Sequence, residues 1–582
     1  MLRSALRTGK SHCQIASREG SGSVVDDTSA AARLAECERR LARAADSVPG
    51  LLATVRTAVA RYRLPMRVAV VAQIKRGKST LVNALLGQDI APTSQLEATF
   101  TVGEFFDAPQ PRVIVHFAEA AAEPLTVAPE DFRTYTINDP AQAAMLRRIR
   151  KVEFGLPNPL LKRFRLLDTP GLGSIHQADS ENTLMTLGVD GFLAAEEERR
   201  LERVLGEVGR TAADLHADTV RAIDGADAVV YLFDRGLNER DASVVVRFLG
   251  PLGPSLNALK VIGVLSRCDQ YWPGDKDGAD LLTYDPLAVA QRIVGRYLGR
   301  PETRRMFFRI LPVAALAAAG TSALDEARLG WLDELGTLEP TRLAEELSDA
   351  NLFAHADQIA GLRLPREARA ALIAEIGAWG TMKAALFRRD RVEPEELRQL
   401  MQEHSGVTEV RRTLVEHFGN RSALLKLDQA LRDISDRTVK LRGEAAISGS
   451  DVPAVVDTVA GILEQIRLEE ADLPALAVLE DYYHDRLDLD QKEVDELLRV
   501  SGEQGRSVTA RLGLPDDTPL PELIKAADCR ASDWINRGEA WGLDGATAAA
   551  TRQVGLGYAR LSARISKARR LLRWDDGPGN QG

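Results

Sequence analysis

VAVVAQIKRGKSTLVNALL, running from Val68 to Leu86, decides the fold. It opens on an unbroken apolar run, crosses a polar loop and closes on a helix-forming segment. Unalternated apolar residues of this kind read as a strand covered on both faces. Gly77-Lys78-Ser79-Thr80 stands where the loop meets the helix. Successive backbone N–H groups in such a loop form a nest for phosphate oxygens, and the helix terminus adds positive dipole charge. In that setting Lys78 reaches the β- and γ-phosphates and the Ser79 hydroxyl holds Mg2+. The position that most such loops give to a first glycine is Ala72, a small replacement that works if the backbone there keeps negative φ.

Downstream, Phe164 to Gly171 reads FRLLDTPG, an apolar strand ending on an acid and then a tight turn. After a phosphate loop, Asp168 is expected to hold Mg2+ through a water, and the Gly171 N–H to sense the γ-phosphate. Phosphoryl transfer requires alignment and charge neutralisation more than covalent help. The next residue, Leu172, cannot orient an attacking water as a glutamine would. Gln73, Lys75 and Arg76 in the phosphate loop are the candidates to replace it. Between the two motifs lies DIAPTSQLEATFTV (89–102), where Thr93 or, nearer the following strand, Thr99 would coordinate Mg2+ and close over the γ-phosphate. Thr99 is the favoured residue.

VIGVLSRCD, Val261 to Asp269, is a strand followed by three small or polar positions and an aspartate. A carboxylate there accepts from the N1–H and N2–H2 of guanine, a donor pair that adenine lacks, so it argues for GTP over ATP. Ser266 and Arg267 stand where Asn or Thr and Lys are usual. An arginine stem can still cover a base face, with different geometry. The Val313-Ala314-Ala315 turn after the last strand would reach the base edge through a backbone N–H.

Outside these motifs the 582-residue chain is ordinary in composition, 45% hydrophobic and 27% charged. Its net charge of -9 argues against broad binding to nucleic acid. Cys13, Cys37, Cys268 and Cys529 are far apart, which suggests neither disulfides nor zinc. With no spanning apolar run and no apolar signal core near Met1, a cytoplasmic protein is expected, free or peripheral at the cytoplasmic face of a membrane. Strands are expected at 67–71, 100–105, 113–117, 164–167, 228–233, 261–265 and 308–313, with insertions at 120–160 and 174–226. The expected fold is an α/β P-loop domain, its sheet mostly parallel with helices on both faces, combined with a long helical bundle. The bundle would join an upstream segment to the C-terminal half; its stripe of Leu34, Leu41, Val48 and Val55 is broken near Pro49-Gly50 and reads either as a coiled coil or as two interrupted helices. The expected divisions are a disordered tail (1–30), a bundle segment (31–62), the nucleotide domain (63–335), a helical neck (336–442), a second helical region (443–576) and a loose tail (577–582).

The motifs KRGKSTLVNALLG (75–87), APTSQLEATFT (91–101), DTPGLGS (168–174), VLSRCD (264–269) and ILPVAAL (310–316), with the later helical stretch 405–434, resemble the bacterial dynamin-like large GTPases, including the isoniazid-inducible proteins of actinobacteria. The resemblance covers roughly 60–440. It implies GTP and GDP binding with Mg2+, GTP hydrolysis, and a site carried by Ser79, Lys78, Thr99, Asp168 and Asp269. It also implies dimerisation of GTPase domains, as a homodimer or with a related partner, coupled through a bundle to an anionic membrane. Ala72, Lys75 and Arg267 depart from the family pattern, and no hydrophobic hairpin suggests a membrane paddle. A soluble switch acting on a protein partner, or a catalytically weak GTP-binding scaffold, are the competing readings. Near the C-terminus, Leu561, Ile565, Ala568 and Leu572 share one helical face among Arg564, Lys567, Arg569, Arg570 and Arg573. That face either packs in the bundle, the simpler reading, or lies on anionic lipid.

Overall fold

The computed structural model describes residues 29–44, 48–72, 76–92, 101–119, 122–136, 143–146, 148–169, 225–234, 258–274, 280–449, 451–470, 472–483, 486–503, 505 and 507–575. The expected tails, up to residue 28 and from 577, lie outside them, as does nearly all of the expected insertion after Ser174.

Among the described residues nine strands form one sheet, in the order β4-β3-β5-β2-β6-β1-β7-β8-β9. They are β1 (Met66–Ala72), β2 (Val102–Asp107), β3 (Arg112–Phe117), β4 (Leu125–Val127), β5 (Ile149–Leu156), β6 (Phe164–Asp168), β7 (Ala228–Phe233), β8 (Val261–Leu265) and β9 (Arg309–Pro312). From β6 through β1, β7 and β8 to β9 every pairing is parallel. Beyond β6 the sheet is mixed: β2 runs antiparallel to β6 and parallel to β5, and β3 is antiparallel to β4 and β5. The apolar text of β1 and β7 has the burial it predicts, with Val68 to Ala72 and Ala228 to Phe233 all buried. Residues 120–160, read as an insertion, instead contain β4 and β5.

On one face of the mixed half, charged side chains replace apolar ones. Buried Glu104 on β2 receives Arg67 (3.3 Å), Lys151 (2.8 Å) and Arg165 (3.0 Å). Burial alone would raise its carboxyl, but Arg67 and Lys151 outweigh it and bring it down to about 2. The opposite face carries Phe105, Phe132 and Phe154 in mutual ring contact.

Several helices bear on the site: α1 (Ser29–Ala42), α2 (Pro49–Arg63), α3 (Lys78–Leu86), α4 (Ala315–Ser322), α5 (Arg366–Ile376), α6 (Ala378–Arg389), α7 (Val407–Thr413), α8 (Asn420–Ser448), α9 (Ala454–Glu469), α10 (Leu473–Tyr483), α11 (Gln491–Val500), α12 (Leu520–Gly538) and α13 (Gly545–Asp575). The upstream stripe is real in its burial but belongs to two helices, because Pro49 opens α2 at a position where its missing N–H costs nothing. Leu34, Leu41, Val48 and Val55 pack with Leu427, Leu431 and Ile434 of α8 and Val459, Leu463 and Ile466 of α9. This is the helical bundle.

The stretch expected as one neck is shared among three cores. Helices up to Met401 surround Trp379, with Trp272 of the sheet domain in the same cluster. Val407, Val410, Leu414 and Phe418 join the core of the sheet. Only from about Leu427 does the chain enter the bundle. Between α7 and α8 the backbone forms a π-helical turn, Leu414–Gly419. α8 then runs through Gly443 and ends at Gly449 with φ 65°, so the break expected over the Gly/Ser/Pro-containing stretch 443–453 falls in its second half, before α9 begins at Ala454.

No single helix among the described residues is long and apolar enough to cross a membrane. α5 and α6 together pass by length and composition, but they bend by 106°, and Leu372, Ile376, Trp379 and Met382 are buried in the Trp379 core. Near the C-terminus Leu561 and Ile565 are buried against the large core, whereas Ala568 is exposed. The side chain of Leu572 lies outside the described set.

Candidate nucleotide-binding site

The carboxyl ends of β1, β6, β7, β8 and β9 leave the sheet along one edge, where open parallel sheets carry their ligands. β1 ends at Ala72, which is buried and paired with Leu232 of β7. Ala72 is strand backbone with no positive φ, so a glycine has no conformational task there. Gly77 does have one. It caps α3 at φ 85°, and an added Cβ would meet nothing within 4 Å, so the requirement comes from the backbone alone.

Lys78 and Ser79 then turn onto Asp168. Lys78 forms an ion pair with one carboxylate oxygen, and the Ser79 hydroxyl donates to the other at 3.0 Å. Asp168 is only 1% exposed and Lys78 only 8%, so each charge would be costly without the other. Thr80, the next residue, is half-buried. Thr169 donates to the Val70 carbonyl at 2.8 Å, fixing the end of β6 against β1. Ser79 and Asp168 are hard oxygen donors held side by side, a pair suited to Mg2+, which takes its other ligands from phosphate and water.

Asn83 on α3 was not singled out by its sequence context, yet it organises the next segment. Its side chain accepts from the N–H groups of Ile90 (3.0 Å) and Ala91 (2.7 Å) and donates to the Ala91 carbonyl (2.8 Å). The chain leading toward Thr93 and Thr99 therefore starts from a fixed point. Gln73, Lys75, Thr93, Thr99, Gly171 and Leu172 themselves lie outside the described residues.

At the base end, Ser266 donates to the Arg76 carbonyl at 2.9 Å and to the Phe233 carbonyl at 3.1 Å, tying β8 to the phosphate loop and to β7. Arg267 adopts a left-handed φ of 56° and starts the short turn Cys268–Tyr271. Cys268 is buried, its thiol pushed up to about 12 by that burial, so it is packing rather than chemistry.

Asp269 is different. Its Oδ1 is buried with no hydrogen-bond partner among the described residues. Burial drives its carboxyl above the ordinary range, against the pull of its own backbone N–H and of Arg267. An unpaired buried acceptor costs about 1–3 kcal/mol. Gly377, the elbow between α5 and α6 at φ 78°, walls the other oxygen: a Cβ there would lie 3.5 Å from Asp269 Oδ2. Nothing in the motif predicted this distant wall.

In the Val313-Ala314-Ala315 turn, two of the three N–H groups are engaged within the protein. Val313 N–H donates to Leu265 O (2.8 Å), Ala314 N–H donates to Ser405 O (2.9 Å), and Val313 O accepts from Cys268 N–H (3.2 Å). These bonds brace the end of β8 against the turn.

Comparison with known proteins agrees with this arrangement. Residues 68–232, from β1 to β7, match the model of the dynamin family. Isoniazid-induced protein IniC of Mycobacterium tuberculosis is 28% identical over 483 residues, 82% of this chain and 86% of that protein. A bacterial dynamin-like protein of Nostoc punctiforme is 31% identical over 157 residues, 24% of this chain and 22% of that protein. Among solved structures, a chain from an oligomerised bacterial dynamin pair, described as a mechanism for long-range sensing and tethering of membranes, covers 94% of this chain and 76% of its own length. It does so at 12% identity with a TM-score of 0.29, an overlay too loose to add to the sequence matches.

Proposed function

We propose that this chain is a Mg2+-dependent, dynamin-like GTPase that hydrolyses GTP to GDP and phosphate. The observation that carries the reading is the Asp269 oxygen that has no hydrogen-bond partner among the described residues, buried on the same sheet edge as the Lys78–Asp168–Ser79 group. The N1–H and N2–H2 donors of guanine are what that carboxylate lacks. Bound Mg2+ supplies neutralisation of the β- and γ-phosphate charge. The chain's own residues supply the rest. Lys78 offers its ammonium to the phosphates, Ser79 and Asp168 hold the metal side, and Ser266 keeps the phosphate loop in register with the base-reading turn. Thr99 and the Gly171 N–H complete the γ-phosphate contacts in this reading.

Leu172 cannot position water, so turnover depends on Gln73 or Lys75, ordered when two nucleotide sites face each other in a dimer with a second copy or a related chain. Coupling of that dimerisation to bundle movement and to work on a membrane rests on kinship, and so does placement at the cytoplasmic face. The burial of Leu561 and Ile565 in the large core favours packing within the protein over lipid contact for that part of α13. Leu172 also supports a second reading, a weakly catalytic GTP-binding switch or scaffold that acts through a protein partner.

The test is GTP turnover against protein concentration, with and without anionic liposomes, and with ATP as control. Turnover per molecule that climbs with concentration supports the assembling GTPase. Flat, slow turnover with retained GTP binding selects the switch or scaffold, and equal handling of ATP removes the assignment to guanine.

A further inference from the structure

Asp234, the residue after β7, belongs to none of the sequence motifs. Its side chain is 10% exposed and sits between two arginines from separate loops. One oxygen is ion-paired with Arg76 of the phosphate loop, and the other lies 3.9 Å from Arg267 Nη1 in the base-reading turn. The backbone repeats the connection: Ser266 Oγ donates to Arg76 O at 2.9 Å, and Ser266 N–H donates to Phe233 O at 2.8 Å. Three loop starts therefore meet at one carboxylate.

We propose that Asp234 is a positioning residue that couples the phosphate end of the nucleotide site to its base end, an inference that rests on the GTPase reading above. Two guanidiniums drawn to one place repel each other unless an anion lies between them. Arg267 also holds a left-handed backbone that a non-glycine residue adopts only under constraint. Asp234 supplies that anion. Displacement of the phosphate loop is then transmitted through Arg76 and Asp234 to Arg267, two residues before the base-reading Asp269. Occupancy of the phosphate subsite is in this way felt at the guanine subsite.

The experiment is release of a fluorescent GDP analogue, followed by stopped flow, in the full-length wild type, Asp234→Asn, Asp234→Glu, Arg76→Ala, Arg267→Ala and the two Asn/Ala double variants. Thermal melting verifies that each is folded. Asp234→Asn is expected to speed release about tenfold, and Asp234→Glu to recover part of that loss. Because the three side chains act as a unit, each double variant should release hardly faster than its faster single parent, a non-additivity of the size seen for directly paired groups, roughly five- to twentyfold. A carboxylate that merely supports the fold would lower melting temperature and give multiplying rate effects. Wild-type binding with unchanged release in folded Asp234→Asn, or with multiplying effects, overturns the coupling role alone. A wild-type chain that takes up none of the labelled GDP overturns both this role and the GTPase assignment.

Discussion

The two edges of the sheet treat polar groups in opposite ways. Along the carboxyl edge, Asp269 has a buried oxygen with no partner among the described residues, and Lys78 and Asp168 neutralise only each other. Along the opposite edge, where the strands begin, polar groups are matched by the helices. Arg61 of α2 donates to Ala226 O (2.9 Å), and Asp227 accepts the Arg67 N–H (2.9 Å). Lys260 bonds Gln429 of α8, and Lys426 bonds the Leu64 carbonyl. His417 donates through Nε2 to Leu259 O (2.6 Å) and accepts at Nδ1 from Arg421 (2.7 Å), which also reaches Leu498 O, Ser501 O and Ser501 Oγ. The lesson is that one edge retains interaction capacity for a ligand, whereas the other has committed it to joining domain and bundle. Burial holds His417 neutral, far below its ordinary titration range, with Arg421 adding to the effect.

The sharpest way to break this contrast is Arg421→Ala. It strands His417 Nδ1 and the Ser501 carbonyl, removes one of the two arginines beside buried Glu503, and should cost about 3–5 kcal/mol in chemical unfolding. GTP affinity of the folded fraction should hold; if it falls equally, the edges are not independent.

Next in size is acid titration of the Glu104 network. Its carboxyl lies near 2 in the fold against an ordinary 4.5, so its stabilisation is complete above about 4.5 and disappears as pH falls toward 2. The difference corresponds to about 3 kcal/mol. Melting curves across that window should show the loss in wild type and a shallower one in Glu104→Gln.

At the ligand edge, Lys78→Ala should weaken GTP binding roughly a hundredfold, the value of a charge-assisted phosphate contact. Titration with a fluorescent GTP analogue measures it, and unchanged affinity in folded protein would remove Lys78 from the site. The smallest effect is expected for Asp269→Asn, which should favour xanthine over guanine nucleotide by about tenfold. Competition between XTP and GTP reads that preference, and no change would leave the buried oxygen without its proposed task.

What was legible in the sequence follows the same division. Phosphate and base chemistry force particular residue types at particular spacings, so Lys78, Ser79, Asp168 and Asp269 stand out from the text. The parallel strands β1, β7 and β8 are legible because double-sided burial leaves them uniformly apolar. β5 was hidden by Lys151 and Glu153, whose charges are matched by each other and by Glu104 and Arg165, which the sheet brings beside them. His417 and Arg421 look like solvated helix positions until the fold supplies Leu259 and Ser501. Gly377 and Asp234 were likewise unreadable, since each acts on residues more than thirty positions away. The division between α1 and α2 was legible at Pro49-Gly50, where proline interrupts the apolar spacing of seven.

The π-helical turn at Leu414–Gly419 has a consequence for the geometry of leverage. A π-turn is an α-helix with one residue added, and each residue advances an α-helix by about 100°. Relative to an unbroken α-helix of the same length, the shaft beyond the turn is set back by about one residue's step. One continuous rod grips the sheet with Val407 to Phe418 and the bundle with Leu427 to Ile434. Deleting a single residue from this turn would restore α geometry and leave the distal azimuth almost unchanged, whereas forcing the same six residues into α geometry would swing the distal shaft by about 100°, pointing its gripping side away from α1 and α2. The turn works as the key that sets the azimuth of a drive shaft.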